Sequence, residues 1–186
     1  MHGPPMSGWL LVALCAASGA YCLLRMRSSA GKERRTAGGE AVMGFGMAAM
    51  ALPAAVVPPP RWAWPVYAAV FAAAGLRALW AARGAPVSAH HLHHVVGSGA
   101  MVYMAVTMAP GASAAHAGHA AAGGVPPLTG VLLVYFVVFV LRSGARLVPV
   151  AAPAGGGDVA WGARPELALA CRVSMGVAMV AMLLTV

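Results

Sequence analysis

The side chains with metal-binding chemistry are concentrated in three apolar segments of this 186-residue chain. These segments hold nine of the twelve Met residues and a histidine-rich run at 90–94. On a helix with about 100° between residues, each set falls within an arc of about 80°. The three faces are Glu40, Met43, Met47 and Met50; His90, His94, Met101, Met104 and Met108; and Cys171, Met175, Met179 and Met182.

The side chains of these faces favour a soft metal ion. Thioether and thiolate sulfurs select soft metals, above all Cu(I), and imidazole also binds copper. His90 and His94 are four residues apart, so both imidazoles can reach one ion from one helix face. We therefore predict a Cu(I) site or path along the three faces, with Glu40 and the histidines at one end.

Less specific interpretations of the same residues stay open. Methionine is a flexible apolar residue that fills gaps in helix cores. The histidines can act as anchors at the lipid headgroups, and Glu40 can be an acid that favours a helix start. Arg172 is expected either to pair with Glu40 or to extend to the membrane surface. The three cysteines indicate no disulfide framework, and only Cys171 is a candidate ligand.

Composition determines the elements that position these faces. Hydrophobic residues make up 61% of the chain and charged residues 9%, whereas soluble domains carry about 25% charged residues. The apolar blocks approach the roughly 20 residues that a helix needs to cross a bilayer. We predict an all-α integral membrane bundle of about six transmembrane helices in one domain, 1–186. The spans are about 9–24, 40–57, 62–82, 90–108, 128–141 and 166–186. Spans 1 and 5 are short, so a count of five stays open.

Basic residues predict the orientation of the bundle. They cluster in the connections after spans 1, 3 and 5, and Arg61 is the sole basic residue in the connections after spans 2 and 4. The positive-inside rule then places both termini outside a bacterial plasma membrane. This asymmetry accounts for the net charge of +8, and no nucleic-acid partner is expected. The basic cluster follows the first apolar stretch, which argues against a cleaved signal peptide.

A short internal repeat relates two of the faces. Residues 43–50 read MGFGMAAM and residues 175–182 read MGVAMVAM, with five of eight positions identical. The identical positions include all three Met and one Gly. Small residues beside the Met are expected to let neighbouring helices approach closely.

Two features of the sequence resemble a family of small multi-span membrane proteins from high-GC actinobacteria. They are Glu40 with the Met43–Met47–Met50 face, and the run HHLHH at 90–94 that leads into Met101-Val102-Tyr103-Met104. That family is a domain of unknown function, and the resemblance covers nearly the whole chain. It implies a plasma-membrane location and a single domain. It implies no activity, so no catalytic residue is carried over.

Two hypotheses about function follow. No nucleophile, base and acid set is visible, so an enzyme is not expected, and His–Met ligation of a haem across spans 4 and 2 stays open. The first hypothesis is a membrane protein that binds or conducts a soft metal ion through its Met and His faces. The second is an accessory subunit of a membrane complex, or a homo-oligomer, in which the Met faces serve packing.

Overall fold

A computed structural model describes residues 5–53, 56, 58–83, 89–109, 125–147 and 164–186 of the chain. These residues form six α-helices and no strand, which confirms the all-α fold. The helices are α1 (Pro5–Ser28), α2 (Gly31–Met50), α3 (Ala63–Arg83), α4 (Ala89–Thr107), α5 (Pro126–Ala145) and α6 (Pro165–Leu183).

Four of these six helices are long and apolar enough to cross a membrane. They are α1 from Gly8 to Ser28, α3 from Ala63 to Ala82, α5 from Pro126 to Ala145, and α6 from Glu166 to Leu183. The other two helices of the described part carry polar first turns. Charged residues at 32–35 open α2, and four histidines occupy the first turns of α4.

The second helix differs most from its predicted span of about 40–57. It begins at Gly31 and ends at Met50, so the charged segment after α1 is helical rather than a connection. Lys, Glu and Arg are good helix formers, and they extend the helix beyond its apolar part. Pro53, rather than the later proline run, limits the helix, because a proline disfavours helical backbone in the residue before it. The connection between α1 and α2 is therefore only two residues long.

Gly31 makes this short connection feasible. Its φ angle of +57° lies in the left-handed region, where residues with a side chain are disfavoured. At the other side of the turn, the Ser28 hydroxyl donates to the carbonyl oxygen of Arg25 at 3.1 Å. The chain thus reverses direction within a few residues, and α2 runs back along α1.

The helices form two compact units. Unit 1 comprises Met1–Val56 and Leu133–Met182, and unit 2 comprises Val57–Leu132 and Leu183–Val186. Unit 1 therefore contains α1, α2 and most of α5 and α6, whereas unit 2 contains α3 and α4. That residues 1–186 form a single domain stays a prediction.

In unit 1, α1 and α2 touch through their backbones. A Cβ atom added to Gly44 would lie 2.9 Å from the Cα and N atoms of Gly19. Contacts between Met26 and Gly38, and between Gly8 and Pro53, continue the antiparallel register toward both ends of the hairpin. The small residues of α2 that this contact buries are Ala37, Ala41, Gly44 and Ala48.

A second close contact in unit 1 joins α5 and α6. A Cβ atom added to Gly176 would lie 2.8 Å from Val140 Cγ2 and 3.2 Å from Phe139 Cδ1. Gly44 and Gly176 are the glycine that the two copies of the internal repeat share. In both copies this glycine lies against a neighbouring helix, as the repeat predicted.

In unit 2, α3 packs on α4, and the side chain of Tyr103 fixes the start of α5. A Cβ atom added to Gly75 would lie 3.2 Å from Ser98 Cβ, which shows how closely α3 and α4 approach. The Tyr103 hydroxyl accepts a hydrogen bond from the Val125 backbone N–H at 2.7 Å and lies 2.7 Å from Thr129 Oγ1. It therefore satisfies a backbone donor that the first turn of a helix leaves without a partner.

We predict that Gly44→Ala destabilises the protein. The added methyl group meets the Gly19 backbone, which cannot rotate away, and overpacking of this kind costs about 1–3 kcal/mol. Thermal unfolding of the detergent-solubilised protein measures the effect. Gly99→Ala on α4 is the matched control, because its added Cβ meets no atom within 4 Å. Equal unfolding midpoints for the two variants would show that the hairpin contact is loose.

We predict that Tyr103→Phe costs about 1 kcal/mol, since it removes a hydrogen-bond acceptor and leaves the Val125 N–H unsatisfied or hydrated. The control is Tyr67→Phe on α3. Tyr67 stacks on Phe71, and its hydroxyl makes no hydrogen bond to the described residues. Thermal unfolding should therefore separate the two variants, and a loss of the same size in both would argue against a specific role for the Tyr103 hydroxyl.

Candidate functional site

The interior of unit 1 is lined mainly by sulfur. Among the described residues of this unit, seven buried apolar side chains are larger than alanine, and six of them carry a sulfur atom. We call these six the sulfur core. It consists of Cys15 and Cys22 on α1, Met47 on α2, and Met175, Met179 and Met182 on α6; the seventh side chain is Phe136.

In the described part of unit 1, no branched aliphatic side chain of these helices is buried and several are exposed, whereas Leu183 at the end of α6 belongs to unit 2 and is buried. Leu10, Leu14 and Leu23 of α1, Val42 of α2 and Val177 of α6 are exposed on the outside of the protein. Hydrophobicity does not explain this segregation, because both the interior and a lipid-facing surface are apolar. Packing does not require it either, since exchanges between Leu and Met usually cost less than about 1.5 kcal/mol. The inward position of the sulfur side chains therefore requires an explanation other than hydrophobicity or packing.

The predicted metal ligands fall into both units. In unit 1, Met47, Met175, Met179 and Met182 are buried, and Met43, Met50 and Cys171 are half-buried. In unit 2, Met101 and Met104 are buried, and His94 and Met108 are half-buried. The side chain of His90 lies outside the described residues. Because α4 belongs to a different unit from α2 and α6, the shared three-helix axis stays a prediction.

Thiol, imidazole and carboxylate groups do not form a metal centre by themselves in the described part of the chain. No group of three or more His, Cys, Asp or Glu side chains there lies close enough to hold an ion. A metal ion bound among these residues would therefore depend on the thioethers of methionine.

Glu40 is the buried charged residue among the described residues of unit 1. Its side chain is only 5% exposed, and each carboxylate oxygen accepts a hydrogen bond from a different arginine. Arg172 Nε donates to Oε1 at 2.8 Å, and Arg25 Nη1 donates to Oε2 at 3.1 Å. Cys22 Sγ lies 3.9 Å from Oε2. This Glu40 cluster (Cys22, Arg25, Glu40 and Arg172) joins α1, α2 and α6.

The pairing of Arg172 with Glu40 confirms one of the two roles predicted for that arginine. The second arginine, Arg25, was expected in a basic connection rather than at the site. Helical side chains incline toward the N-terminus of their helix, so Arg25 extends back along α1 toward the level of Cys22. The α1–α2 hairpin brings that level beside Glu40. The short turn is the signal that could have revealed this contact.

The surroundings of Glu40 favour an ion pair over a metal ligand. Both oxygens already accept guanidinium hydrogen bonds, and two positive charges flank the carboxylate. Moving either arginine away would leave one oxygen of this buried carboxylate without its hydrogen-bond donor, which is costly. That Glu40 is a metal ligand therefore stays a prediction, and we leave it out of the metal-binding residues proposed below.

Polar contacts also attach the start of α6 to α1. The Tyr21 hydroxyl donates to the carbonyl oxygen of Arg164 at 3.4 Å, and the Ser18 side chain lies near Cys171. As α6 advances from residue 164 to residue 171, its contacts on α1 move back from residue 21 to residue 18. From this order we infer that the two helices are antiparallel and that α6 runs parallel to α2.

Comparison with known protein families gives one match. The model of a domain of unknown function, DUF5134, matches residues 32–186. The chain belongs to the DUF5134 family. No curated protein and no solved structure matches it. The DUF5134 match begins at Lys32, so it contains α2 to α6, while Arg25 and Cys22 of α1 lie before it. The expected domain of unknown function is confirmed, whereas the actinobacterial range and the Met and His content of the DUF5134 family stay predictions.

We predict that Glu40→Gln destabilises the DUF5134 protein by about 3 kcal/mol, because it leaves two partly buried guanidinium groups without a counter-charge. Thermal unfolding in detergent is the measurement, and Glu33→Gln on the exposed start of α2 is the matched control. A double variant, Glu40→Gln with Arg172→Leu, should lose less than the sum of its single variants. Strict additivity would contradict a direct interaction between the two residues.

Proposed function

We propose that this DUF5134 protein is an integral membrane protein that binds a soft metal ion, best matched by Cu(I), among the sulfur side chains of unit 1. The observation that carries the proposal is the composition of the sulfur core, in which sulfur occupies six of the seven large buried apolar positions described in that unit. Thioether and thiol groups are the ligands that select Cu(I) over harder cations.

The register of α2 and α6 supports pairs of thioether ligands. The two helices are parallel, and Glu40 contacts Arg172 directly. Met47 follows Glu40 by seven residues, and Met179 follows Arg172 by the same number. In two parallel helices the residues at equal distance from a contact lie at similar depth. Met47 and Met179 therefore stand at one level, where a pair of buried sulfurs can hold a monovalent ion.

The sulfur positions on α6 continue along one helix face. Cys171, Met175, Met179 and Met182 follow each other at intervals of four, four and three residues, so neighbouring side chains adjoin. The set extends over about 16 Å at a rise of 1.5 Å per residue. That is about half of the roughly 30 Å hydrocarbon thickness of a bilayer. The length of this face favours passage or multi-site storage of the ion over a single closed site.

The α4 face in unit 2 is the second part of the proposal. Met101 and Met104 are buried there, and His94 and Met108 are half-buried beside them. Imidazole with thioethers is also a suitable set for copper. We further infer, from the distribution of basic residues, a plasma-membrane protein with both termini outside.

The alternative function is that of an accessory subunit of a membrane complex or of a homo-oligomer. In this case the methionines only pack the helices of the protein itself, because Met47, Met101 and Met179 are buried inside their own units. A partner would then bind elsewhere on the surface. The two functions differ in whether the buried sulfur atoms bind an ion.

We predict that the purified protein, loaded anaerobically with Cu(I) in detergent, retains metal at one or more ions per chain. Met47→Leu combined with Met179→Leu should reduce the bound metal to background without unfolding the protein, because the exchange conserves volume. Met6→Leu is the matched control, since Met6 is 71% exposed on α1. Metal analysis after gel filtration gives the amount bound, and circular dichroism confirms folding.

One further variant tests the contribution of unit 2, and the Met47/Met179 variant distinguishes metal binding from the alternative function. His94→Ala with Met101→Leu removes the proposed ligands of α4 alone, so an unchanged amount of metal in this variant would confine binding to unit 1. Equal metal in the wild type and in the Met47/Met179 variant would contradict the proposal. The buried methionines would then be packing residues, and the accessory-subunit function would stand.

A further inference from the structure

The Glu40 cluster contains more positive than negative charge. It holds two guanidinium groups and one carboxylate, so its net charge is +1 when all three groups are ionised. In a medium of low dielectric constant an uncompensated charge is costly, and it is normally neutralised by a partner. An anion beside the two arginines would neutralise the cluster.

The two arginines also have hydrogen-bond donors to spare. A guanidinium group carries five N–H donors. Within the described part of the chain, Arg25 and Arg172 each donate one hydrogen bond, and both bonds end on Glu40. The remaining N–H groups have no acceptor among the described residues.

Their accessibility shows where an anion would bind. The side chains of Arg172 and Arg25 are 31% and 17% exposed, whereas Glu40 is 5% exposed. The carboxylate thus lies on the inner side of the two guanidinium groups. From that position it fixes their orientation and leaves their other donors on the outer side, where a ligand can reach them.

The position of the cluster along the helices fits a phosphate at the membrane surface. Arg25 lies in the last turn of α1, and Arg172 lies about two turns into α6. Four exposed basic residues flank the adjacent turn, Arg27 at the end of α1 and Lys32, Arg34 and Arg35 at the start of α2. Basic pockets between transmembrane helices near a membrane surface bind anionic lipid headgroups. The neighbouring cations would raise the local concentration of such an anion.

We propose that Arg25 and Arg172, oriented by Glu40, form a binding site for a phosphate group, supplied either by the headgroup of an anionic phospholipid or by free inorganic phosphate. Guanidinium forks match phosphate oxygens in pairs of hydrogen bonds, which an ammonium group cannot reproduce. The proposed phosphate ligands are the two arginines and not the sulfur side chains, so a phosphate can bind there whether or not the sulfur core binds a metal ion.

The first test uses the wild-type protein alone, in phosphate-free detergent. Thermal unfolding is followed while phosphatidylglycerol, phosphatidylcholine or sodium phosphate is added. Phosphatidylglycerol should raise the unfolding midpoint at a concentration about tenfold lower than phosphatidylcholine, because the choline cation of phosphatidylcholine neutralises the charge of its phosphate. A shift with sodium phosphate as well would indicate a site for free phosphate, and a shift with the lipid only would indicate a headgroup site. Equal effects of both lipids and none of sodium phosphate would overturn the proposal.

The second test uses variants that keep the charge. Arg172→Lys and Arg25→Lys remove a guanidinium fork and retain a cation, and native mass spectrometry counts the phosphatidylglycerol molecules that stay bound. Each variant should weaken about tenfold the binding of the anion that raised the unfolding midpoint in the first test, phosphatidylglycerol or free phosphate. Arg27→Lys is the matched control, because Arg27 is exposed on the same helix and outside the cluster. If Arg27→Lys weakened binding as much as Arg172→Lys, the basic turn would attract lipid without a specific site, and the proposal would be wrong.

Discussion

The structure of unit 1 depends on the burial of one carboxylate. Glu40 is almost inaccessible, and a buried carboxylate is tolerated only when paired and hydrogen-bonded. Its two partners come from α1 and α6, 15 and 132 residues away in the chain. Each carboxylate oxygen accepts from a different helix, so the rotation and depth of all three helices are tied to one side chain. The apolar parts of these helices could slide along one another at little cost, and the ion pairs remove that freedom.

The close contact of α1 and α2 is a requirement of the same interaction. Arg25 and Cys22 reach Glu40 only because the hairpin backbones meet at Gly19 and Gly44. Farther along the helices from the Glu40 cluster, the interior of unit 1 is lined by the methionines of the sulfur core. On α6, Arg172 is followed by Met175 and then by the rest of its methionine face. Polarity therefore decreases from the turn between α1 and α2 toward the opposite end, with charged groups first and thioethers behind them.

Much of this arrangement was accessible from the sequence because it rests on local periodicity. The helical faces predicted that Met47 and Met179 turn inward, and the apolar blocks predicted helices. Depth in the span made pairing with Glu40 one of two expected outcomes for Arg172, and the structure selects it over extension to the membrane surface. The boundaries of α2 did not follow, because the apolar pattern marks where a helix enters lipid, whereas helix propensity and Pro53 determine where it starts and ends. Arg25 was missed because its role depends on the two-residue turn, a tertiary constraint. The assignment of α4 to another unit likewise depends on contacts that a single helix does not encode.

The internal repeat explains why two distant helices meet in register. Glu40 precedes Met43 by three residues, and Arg172 precedes Met175 by three, so the paired charges lie at the same distance before the two copies. In both copies the shared glycine lies against a neighbouring helix, which is α1 for Gly44 and α5 for Gly176. Each copy, together with the charged residue three positions before it, thus combines one helix contact and one row of buried or half-buried thioethers. The charges have opposite sign, so equivalent positions attract when the helices are parallel. A register shift of one turn would move the carboxylate about 5 Å along the axis and separate the pair. The match between the copies therefore specifies how α2 pairs with α6. The ion pair between Glu40 and Arg172 fixes the depth at which the methionines of the two helices face each other.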